Sequence, residues 1–350
     1  DIERYIFFCK AVLAAMPVIG FHPDIIHCHD WQTGMIPVFL KSTFATHSFY
    51  WDTKSIMTIH NLKFQGVWDI DHFIYNTNLP GYMFTPDKLE FKKDANMLKG
   101  GLVYADYITT VSETYAEEIK TPYYGEQLDG LLCARSRSLR GILNGIDYDA
   151  FNPETDPYIT NRYNAVNFRK EKIKNKRALQ ADMGLEQNDK TMLIGIVSRL
   201  TDQKGFDLIA YMMDELCQDN VQIIVLGTGE ERYENMFRHF AWKYNGKVSA
   251  QIYYSEELSH RIYAASDAFL MPSLFEPCGL SQLMSLRYGT VPIVRETGGL
   301  KDTVWPYNEF EGTGTGFSFT NYNAHEMLAT IRYAEQIYYD KKREWNKIVD

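Results

Sequence analysis

The sequence predicts an α/β protein with two doubly wound, Rossmann-like parallel-sheet domains that face a cleft. Short β-rich runs recur along the chain, each followed by a polar or glycine-rich turn and then by a helical pattern, which is typical of βα units. The length of 350 residues suggests about two domains. No fixed-period repeat is visible, and this disfavours solenoids and propellers.

The predicted strands form two sets with a turn-rich segment between them. The first set comprises residues 24–28, 55–59 and 107–111. The second set comprises residues 192–197, 221–226, 268–271 and 291–294. The intervening stretch "GILNGIDYDAFNPETDPYI" is rich in Asn, Gly, Asp and Pro, which favour turns. We therefore predict a first domain at residues 1–143, a linker at 144–156 and a second domain at 157–350.

Composition and charge disfavour several classes of protein. A hydrophobic content of 45% and a charged content of 23% are typical of globular proteins. The net charge is −9, and the basic stretch "RKEKIKNKR" is most simply a solvated helix face, so we expect no nucleic-acid partner. Residues 6–21 are apolar but interrupted by Lys10, which predicts a core helix rather than a membrane span. The five scattered cysteines lack CxxC spacing and suit a reducing cytoplasm.

The unusual polar residues of the chain lie at the ends of predicted strands. In open parallel sheets, ligands bind beyond the carboxyl ends of the strands. Six such positions occur in series, which favours one functional cleft over six unrelated loops. They are His27, His29 and Asp30, then His60 and Asn61, then Ser198 and Arg199, and the motifs "GTGE", "SLFEPCG" and "ETGG".

His27 and His29 are two residues apart on a predicted strand, so they share a face and could ligate a metal. The position two after His29 is Trp31 rather than an acidic residue, and no later histidine pair completes a ligand set. Both points disfavour a metal site. The structural alternative is a hydrogen-bonded core histidine at position 27 and a helix-capping Asp30.

The stretch "SRLTDQKGFDLI" places Arg199 and Lys204 in a strand-to-helix turn. A bidentate Arg and a point-charge Lys are the usual means of binding a diphosphate and of stabilising it as a leaving group. The alternative is a pair of solvated loop cations. The spacing is not GxxxxGK[ST], so a P-loop ATPase is disfavoured.

The stretch "SLFEPCGLSQLMSL" contains the most specific signal. Pro277 favours an extended Glu276, and a helix is expected to begin near Gly279, so a carboxylate would lie beside free amides and could bind sugar hydroxyls. A helix-capping role for Glu276 is the alternative. In "RETGGLKDTV", the Gly298–Gly299 pair would let the backbone come close to an anionic ligand, although a GG turn alone is weak evidence.

These motifs lie within longer stretches that resemble the bacterial glycogen synthases and plant starch synthases. The similar stretches are "HCHDWQTG", "TIHNLKFQG", "TVSETYAEEI", "YGEQLDGLL", "GILNGIDYDAFNPETDP", "VSRLTDQKGFDLI", "YYSEELSHRIYAASDAFLMPSLFEPCGLSQL" and "VRETGGLKDTV". They occur in the order of that family over nearly the whole chain. Eight residues after Glu276 the chain has Met284, as the synthases do, where related glycosyltransferases often carry a second Glu.

The resemblance implies a retaining glucosyltransferase of the glycosyltransferase B fold that uses no metal or other cofactor. The implied reaction transfers glucose from ADP-glucose to the nonreducing end of an α-1,4-glucan. The first domain would then serve the acceptor, and the second would bind the nucleotide sugar.

The resemblance also implies a role for individual residues. For the donor, they are Arg199 and Lys204 at the diphosphate, Thr297, Gly298 and Gly299 at the phosphates, Tyr254 near adenine, and Glu276 with Cys278, Gly279 and Leu280 around the sugar. For the transferred glucose and the acceptor, they are His60, Asp30, Trp31 and Asn144. The catalytic residues would be His60, Asp30, Arg199, Lys204 and Glu276, and the other residues would bind substrate.

The chain departs from the family pattern at its beginning. The family opens with a strand and a KxGGL glycine loop that contacts the donor, and the sequence contains neither, so we expect the first domain to be incomplete. Three alternatives therefore stay open. They are an inactive glucan-binding module, a glucosyltransferase that uses UDP-glucose, and a metallohydrolase built on "HCHD".

Overall fold

The computed structural model describes residues 1–350, and the chain divides into two compact units, Asp1–Leu143 (unit 1) and Asn144–Asp350 (unit 2). Each unit contains a parallel sheet with helices packed on it, which confirms the predicted α/β class. No helix of the chain is long and apolar enough to span a membrane.

Unit 1 combines a parallel sheet with a small antiparallel one. Its strands are β1 (Ile25–His29), β2 (Lys54–Ile59), β3 (Val67–Asp69), β4 (Glu90–Phe91), β5 (Asp94–Asn96), β6 (Tyr107–Thr110) and β7 (Leu139–Gly141). Its helices are α1 (Ile2–Ile19), α2 (Met35–Lys41), α3 (Ile70–Thr77), α4 (Met97–Tyr104), α5 (Glu113–Glu118) and α6 (Asp129–Ala134). The parallel order is β1-β2-β6-β7, and the antiparallel order is β3-β5-β4.

The core of unit 1 follows the expected periodicities. On α1, the buried residues recur at helical spacing: they are Ile2, Ile6, Cys9 and Leu13. The predicted core helix therefore exists, although it begins at Ile2. On β1, Ile26 and Cys28 are buried while Ile25, His27 and His29 are exposed, as a period of two requires. The alternation leaves both histidines on the open face of the strand, so the core position considered for His27 is not observed.

Unit 2 is a larger parallel sheet between helices. Its strands are β8 (Met192–Val197), β9 (Val221–Leu226), β10 (Val248–Gln251), β11 (Ala268–Met271), β12 (Val291–Arg295) and β13 (Phe317–Phe319). Its helices are α7 (Phe168–Asp182), α8 (Phe206–Leu216), α9 (Glu231–Lys243), α10 (Glu256–Ala265), α11 (Ser281–Arg287), α12 (Gly298–Thr303), α13 (Ala324–Asp340) and α14 (Lys342–Val349).

The strand order in unit 2 reverses direction at one point. The order is β10-β9-β8-β11-β12-β13, so the chain runs outward from β8 through β9 to β10 and then returns to β11, on the other side of β8. Such a reversal leaves a crevice beyond the carboxyl ends of the two central strands, because the connections depart in opposite directions. The loops after β8 and β11 therefore meet at the topological switch point.

A buried polar cluster attaches the turn-rich segment after Leu143 to the body of unit 2. The Asp156 carboxylate lies 2.8 Å from Nδ1 of His260 and accepts a hydrogen bond from the Tyr288 hydroxyl. The ring of Phe151 stacks on that of His260, with centroids 4.7 Å apart. Burial alone would raise the pKa of Asp156, but hydrogen bonds from His260, Tyr288 and the Tyr158 amide outweigh it and lower that pKa.

We expect Asp156→Asn to lower the free energy of unfolding by about 3 kcal/mol at pH 7, because a buried charge network loses its central partner. A carboxyl with a lowered folded-state pKa stabilises the protein above its unfolded pKa and loses that effect as the pH falls. The difference between wild type and variant should therefore shrink below about pH 4. Urea unfolding at several pH values measures this difference in the free energy of unfolding. The exposed Asp149→Asn is the control, and equal effects of both substitutions at pH 7 would contradict the assignment.

Candidate active site

The loop after β8 carries two cations to the switch point of unit 2. Arg199 follows β8 after the intervening Ser198, is exposed and forms no ion pair. Lys204 ends a short 3-10 helix, and its side chain is only 16% exposed. The next residue, Gly205, has a φ of 74°, and a Cβ there would overlap the carbonyl oxygen of Pro272 at the end of β11. The glycine therefore allows the β8 and β11 loops to touch through their backbones.

The loop after β11 presents the carboxylate of Glu276 to Lys204. Nζ of Lys204 lies 2.6 Å from Oε2 of Glu276, and the Ser273 hydroxyl donates to the same oxygen at 3.0 Å. The helix-capping alternative for Glu276 is not observed, since no side chain caps α11. Arg199, Lys204 and Ser273 also line one small cavity of about 160 Å³ beside the ends of β8 and β11.

Two residues that were not predicted hold the Glu276 loop in place. Nη1 of Arg295, at the end of β12, donates to the Leu274 carbonyl at 2.6 Å. On the other side, the Gln203 carbonyl accepts the Leu274 amide at 2.9 Å, and the Gln203 side chain donates to the Phe275 carbonyl. Both Arg295 and Gln203 are buried, so the loop lies between two buried polar anchors. Only the neighbouring motifs "VRETGG" and "TDQKG" could have pointed to these two residues.

The glycine pair brings α12 against the Glu276 loop. Gly298 has a φ of 45°, and a Cβ there would overlap the Glu276 carbonyl oxygen. The Gly299 amide donates to that same oxygen at 3.1 Å, so a phosphate would have to displace this bond in order to use the amide. Thr297 is fully buried at the N-terminus of α12. Close backbone packing is therefore the role that the structure shows for this pair.

The remaining residues of the FEPCGL motif surround Glu276. The Cys278 thiol is buried, which raises its pKa, and it hydrogen-bonds to the backbone of Asn144. The Gln282 side chain is buried and donates to the carbonyls of Cys278 and Gly279. Leu280 is 42% exposed. The structure thus brings Asn144 and Cys278 together, while Leu280 lies at the surface of unit 2.

The motifs after β9 and β10 lie at the same edge of the sheet, but the first packs against a neighbouring loop and the second is exposed to solvent. In "GTGE", a Cβ at Gly227 or at Gly229 would overlap a carbonyl of the β8 loop, so these glycines have a packing role. Tyr254 follows β10 and is 84% exposed, with no ring contact. Its aromatic face is therefore available to a ligand.

In unit 1, Asp30 and His60 meet at the carboxyl ends of β1 and β2. Oδ1 of Asp30 accepts the His60 amide at 2.7 Å, and Asp30 does not cap the helix that follows it. Asp30 also adopts φ 57° and ψ −175°, a region that non-glycine residues avoid. Such strain persists only where the surroundings enforce it, and it is concentrated at functional sites.

A hydrogen-bonded network continues from His60 across the sheet. Nε2 of His60 and Nδ1 of His29 share a hydrogen bond of 2.9 Å. Burial, together with the nearby His27 and His60, lowers the pKa of His29 and favours its neutral form. Nε2 of His27 is hydrogen-bonded to the Thr58 hydroxyl at 2.6 Å. No three His, Cys, Asp or Glu side chains of the chain are grouped in a way that could hold a metal ion.

Trp31 lies directly beside Asp30 and is held by contacts on several sides. Its ring packs edge-on against Tyr5, with centroids 5.0 Å apart, and lies 6.3 Å from the ring of Trp68. Gly66 has a φ of 66°, and a Cβ there would overlap the indole. The indole is therefore positioned by its surroundings rather than free to rotate.

The fold and the cationic loop at the switch point are typical of an α/β protein that binds an anionic ligand. Comparison with known families makes this specific. Residues 1–134 match the family model described as "Starch synthase catalytic domain", and residues 180–348 match "Glycosyl transferases group 1".

Individual relatives agree with these family matches. The glycogen synthases of Lachnospira eligens and Lachnoclostridium phytofermentans are 71% and 67% identical to the chain, which is covered completely and spans 73% of each relative. A solved structure of the catalytic domain of starch synthase IV from Arabidopsis thaliana is 33% identical to the chain, with a TM-score of 0.93. That domain is described as bound to ADP and acarbose. That match covers 100% of this chain and 72% of the Arabidopsis chain.

The chain belongs to the glycogen and starch synthase family. It is therefore a glycosyltransferase, and its substrates are a nucleotide sugar and a glucan.

We expect Asp30→Gly to be more stable than Asp30→Ala by about 1–3 kcal/mol, the reverse of the usual order. Glycine adopts the backbone angles of Asp30 without strain, whereas alanine keeps the strain. Both variants lose the bond to the His60 amide, so that loss cancels in the comparison. Urea unfolding compares the two variants. The same pair of substitutions at the exposed Asp24, whose φ is not positive, is the control. Equal stability of the two Asp30 variants would contradict the assigned strain.

We expect Gly298→Ala to lower the free energy of unfolding of unit 2 by about 3 kcal/mol, because the methyl group adds a clash with the Glu276 carbonyl to the strain of a positive φ. Gly184→Ala is the matched control, since Gly184 has a φ of 71° but nothing within 4 Å of its would-be Cβ. The control should cost about 1 kcal/mol. Urea unfolding measures both, and a similar loss in the two variants would exclude the contact.

Proposed function

We propose that the enzyme transfers glucose from ADP-glucose to the nonreducing end of an α-1,4-glucan, with retention of configuration. The observation that carries this proposal is the arrangement at the switch point of unit 2. There, the exposed Arg199 lies on the same loop as Lys204, which is paired with the buried Glu276. The Arabidopsis starch synthase IV domain is described as bound to ADP and acarbose. This supports a donor that carries an adenine nucleotide and an acceptor that is a glucan.

In this proposal Arg199 and Lys204 bind the donor diphosphate. Arg199 has no acidic partner, so all its guanidinium donors are available for a bidentate contact. Lys204 is already paired with Glu276, so a diphosphate would compete with that carboxylate for the ammonium group. Once Lys204 contacts phosphate, the Glu276 carboxylate is released to accept hydrogen bonds from the donor sugar. Thr297, Gly298, Gly299, Cys278, Gly279 and Leu280 complete the proposed donor surroundings, and Tyr254 stacks on adenine.

The proposed chemistry needs no covalent intermediate on the protein. The departing diphosphate accepts the proton of the incoming 4-hydroxyl group on the same face of the sugar, which gives retention. Arg199 and Lys204 stabilise the charge that develops on the diphosphate. His60 and Asp30 orient and stabilise the oxocarbenium-like sugar, and only stabilisation greater in that state than in the bound substrate raises the rate.

Unit 1 serves the acceptor in this proposal, with Trp31 beside Asp30 offering an aromatic face to glucose and Asn144 contributing from the start of unit 2. The five cysteines are unpaired, and we place the enzyme in the cytoplasm. No metal ion or other cofactor takes part in the proposed reaction.

We expect isothermal titration with ADP-glucose to show binding that falls about 10- to 100-fold in Arg199→Ala, because a charge-assisted contact to phosphate is lost. Lys204→Ala should lose more, since it also leaves the Glu276 carboxylate facing the diphosphate. For ADP, which lacks the sugar, adding Glu276→Gln to Lys204→Ala should restore part of the affinity. Arg238→Ala, an exposed arginine on α9, is the control.

The other outcomes of this titration separate the rival functions. Tighter binding of UDP-glucose than of ADP-glucose would overturn the donor assignment. Binding of maltooligosaccharide without either nucleotide sugar would indicate a glucan-binding module. Loss of binding after treatment of the protein with EDTA would argue for a metal-dependent site. Unchanged donor affinity in both single variants would remove Arg199 and Lys204 from the site.

A further inference from the structure

Two lysines of the basic stretch at residues 169–177 point toward the interior of unit 2 rather than toward solvent. Lys176 is 2% exposed, and its Nζ lies 2.6 Å from Oδ2 of Asp267. Nζ of Lys172 is hydrogen-bonded to neutral groups, which are the carbonyls of Tyr263, Ala264 and Tyr288 and the hydroxyl of Thr290. The solvated helix face expected from the sequence is therefore not observed at these two positions.

Both lysines line a cavity at the amino-terminal edge of the large parallel sheet. Part of its wall lies just before β8, at Asp189 and Lys190, and another part lies directly before β11, at Asp267. Helices α7, α13 and α14 contribute most of the rest. The cavity volume is about 500 Å³, within the range of roughly 300–1,000 Å³ typical of small-molecule sites. The candidate active site lies beyond the carboxyl ends of the same strands, so the two sites are separate.

Cations outnumber carboxylates in this cavity, although the whole chain has a net charge of −9. The cations are Arg169, Lys172, Lys176, Lys190 and Lys342, and the carboxylates are Asp189 and Asp267. Each carboxylate is already in an ion pair with a lysine or an arginine, and Arg169 is in an ion pair as well. Lys172, Lys190 and Lys342 are therefore left without a carboxylate partner.

Burial makes two of these positive charges unfavourable. It lowers the pKa of Lys172 to about 7, and it also lowers the pKa of Lys342. Asp267 partly opposes both shifts, whereas the charge of Lys176 adds to them. A bound anion would stabilise the charged form of each lysine, because an opposite charge nearby favours ionisation. The cavity therefore favours a negatively charged ligand.

We propose that this cavity binds a small phosphate ester, separately from the donor and acceptor sites. A phosphate monoester carries a charge of about −1.5 to −2 at pH 7, which several lysines can share. Lysine is a common ligand of phosphate because its ammonium group acts as a point charge. Ile173 and Tyr339 also line the cavity and are 40% and 37% exposed, so they offer a surface to the organic part of the ester.

Isothermal titration with ribose 5-phosphate tests the site, with unphosphorylated ribose as the control ligand. Lys342→Ala should weaken the binding of ribose 5-phosphate by about tenfold, because one charge-assisted contact is lost. Lys190→Ala should act in the same direction, and Lys342→Arg, which keeps the charge, should retain most of the affinity. Arg343→Ala is the matched control, since it removes the neighbouring exposed cation on α14, which does not line the cavity.

A second measurement locates the ligand without any substitution. Ribose 5-phosphate should protect Lys190 and Lys342 from acetylation, as measured by mass spectrometry, because it covers both ammonium groups. Lys170 is exposed on α7 outside the cavity and should be acetylated at an unchanged rate. Equal protection of all three lysines, or protection of none, would overturn the proposal.

The titration also separates the cavity from the donor site, where phosphate is proposed to contact Arg199. The affinity for ribose 5-phosphate should be the same in Arg199→Ala as in the wild type. A loss in Arg199→Ala but not in Lys342→Ala would place the phosphate at the donor site and overturn the proposal. Equal losses in Lys342→Ala and Arg343→Ala, equally tight binding of ribose, or no binding of ribose 5-phosphate by folded protein would overturn it as well.

Discussion

The ion pair between Lys204 and Glu276 is the interaction on which the donor side of the molecule depends. Both side chains are largely withdrawn from water, so each would be unfavourable without the other. The pair also joins the loops after two strands that are neighbours in space but far apart in sequence. β8 and β11 are neighbours because the strand order reverses at this point, and a crevice opens beyond their carboxyl ends. The topology of unit 2 therefore determines where this charge pair can form.

In unit 1 the candidate site residues lie on the open face of a sheet, where their partners come from the neighbouring strand. The alternation of β1 buries Cys28 and exposes His27 and His29, which then bond to Thr58 on β2 and to His60 just after it. Asp30 is held away from a relaxed conformation by its bond to the His60 amide. The strained conformation places the Asp30 carboxylate against the backbone amide of His60.

The sequence predicts seven strands of the two units well, since seven β-rich runs recur as β1, β2, β6, β8, β9, β11 and β12 with shifts of at most one residue at either end. It does not predict β3, β4, β5, β7 and β13, because strands of two or three residues are too short to show a period, and it also misses the four-residue strand β10. Motif positions at strand ends predict that Lys204 and Glu276 lie at one cleft, but their direct ion pair is visible only in the structure. The anchoring by Arg295 and Gln203 depends on contacts between distant segments, which no local pattern encodes. The engagement of the Gly299 amide by a carbonyl is likewise visible only in three dimensions.

In unit 2, glycines allow the main chains of neighbouring loops to touch directly, and this determines how the loops are spaced. At Gly205, Gly227 and Gly298, one loop touches the carbonyl of another with no side chain between them. The spacing of the loops is then determined by backbone atoms, which every sequence shares. Side chains that face a ligand can be exchanged during evolution without altering the separation of the loops that carry them. A fold of this kind can change which sugar or nucleotide it binds while the positions of its loops stay the same.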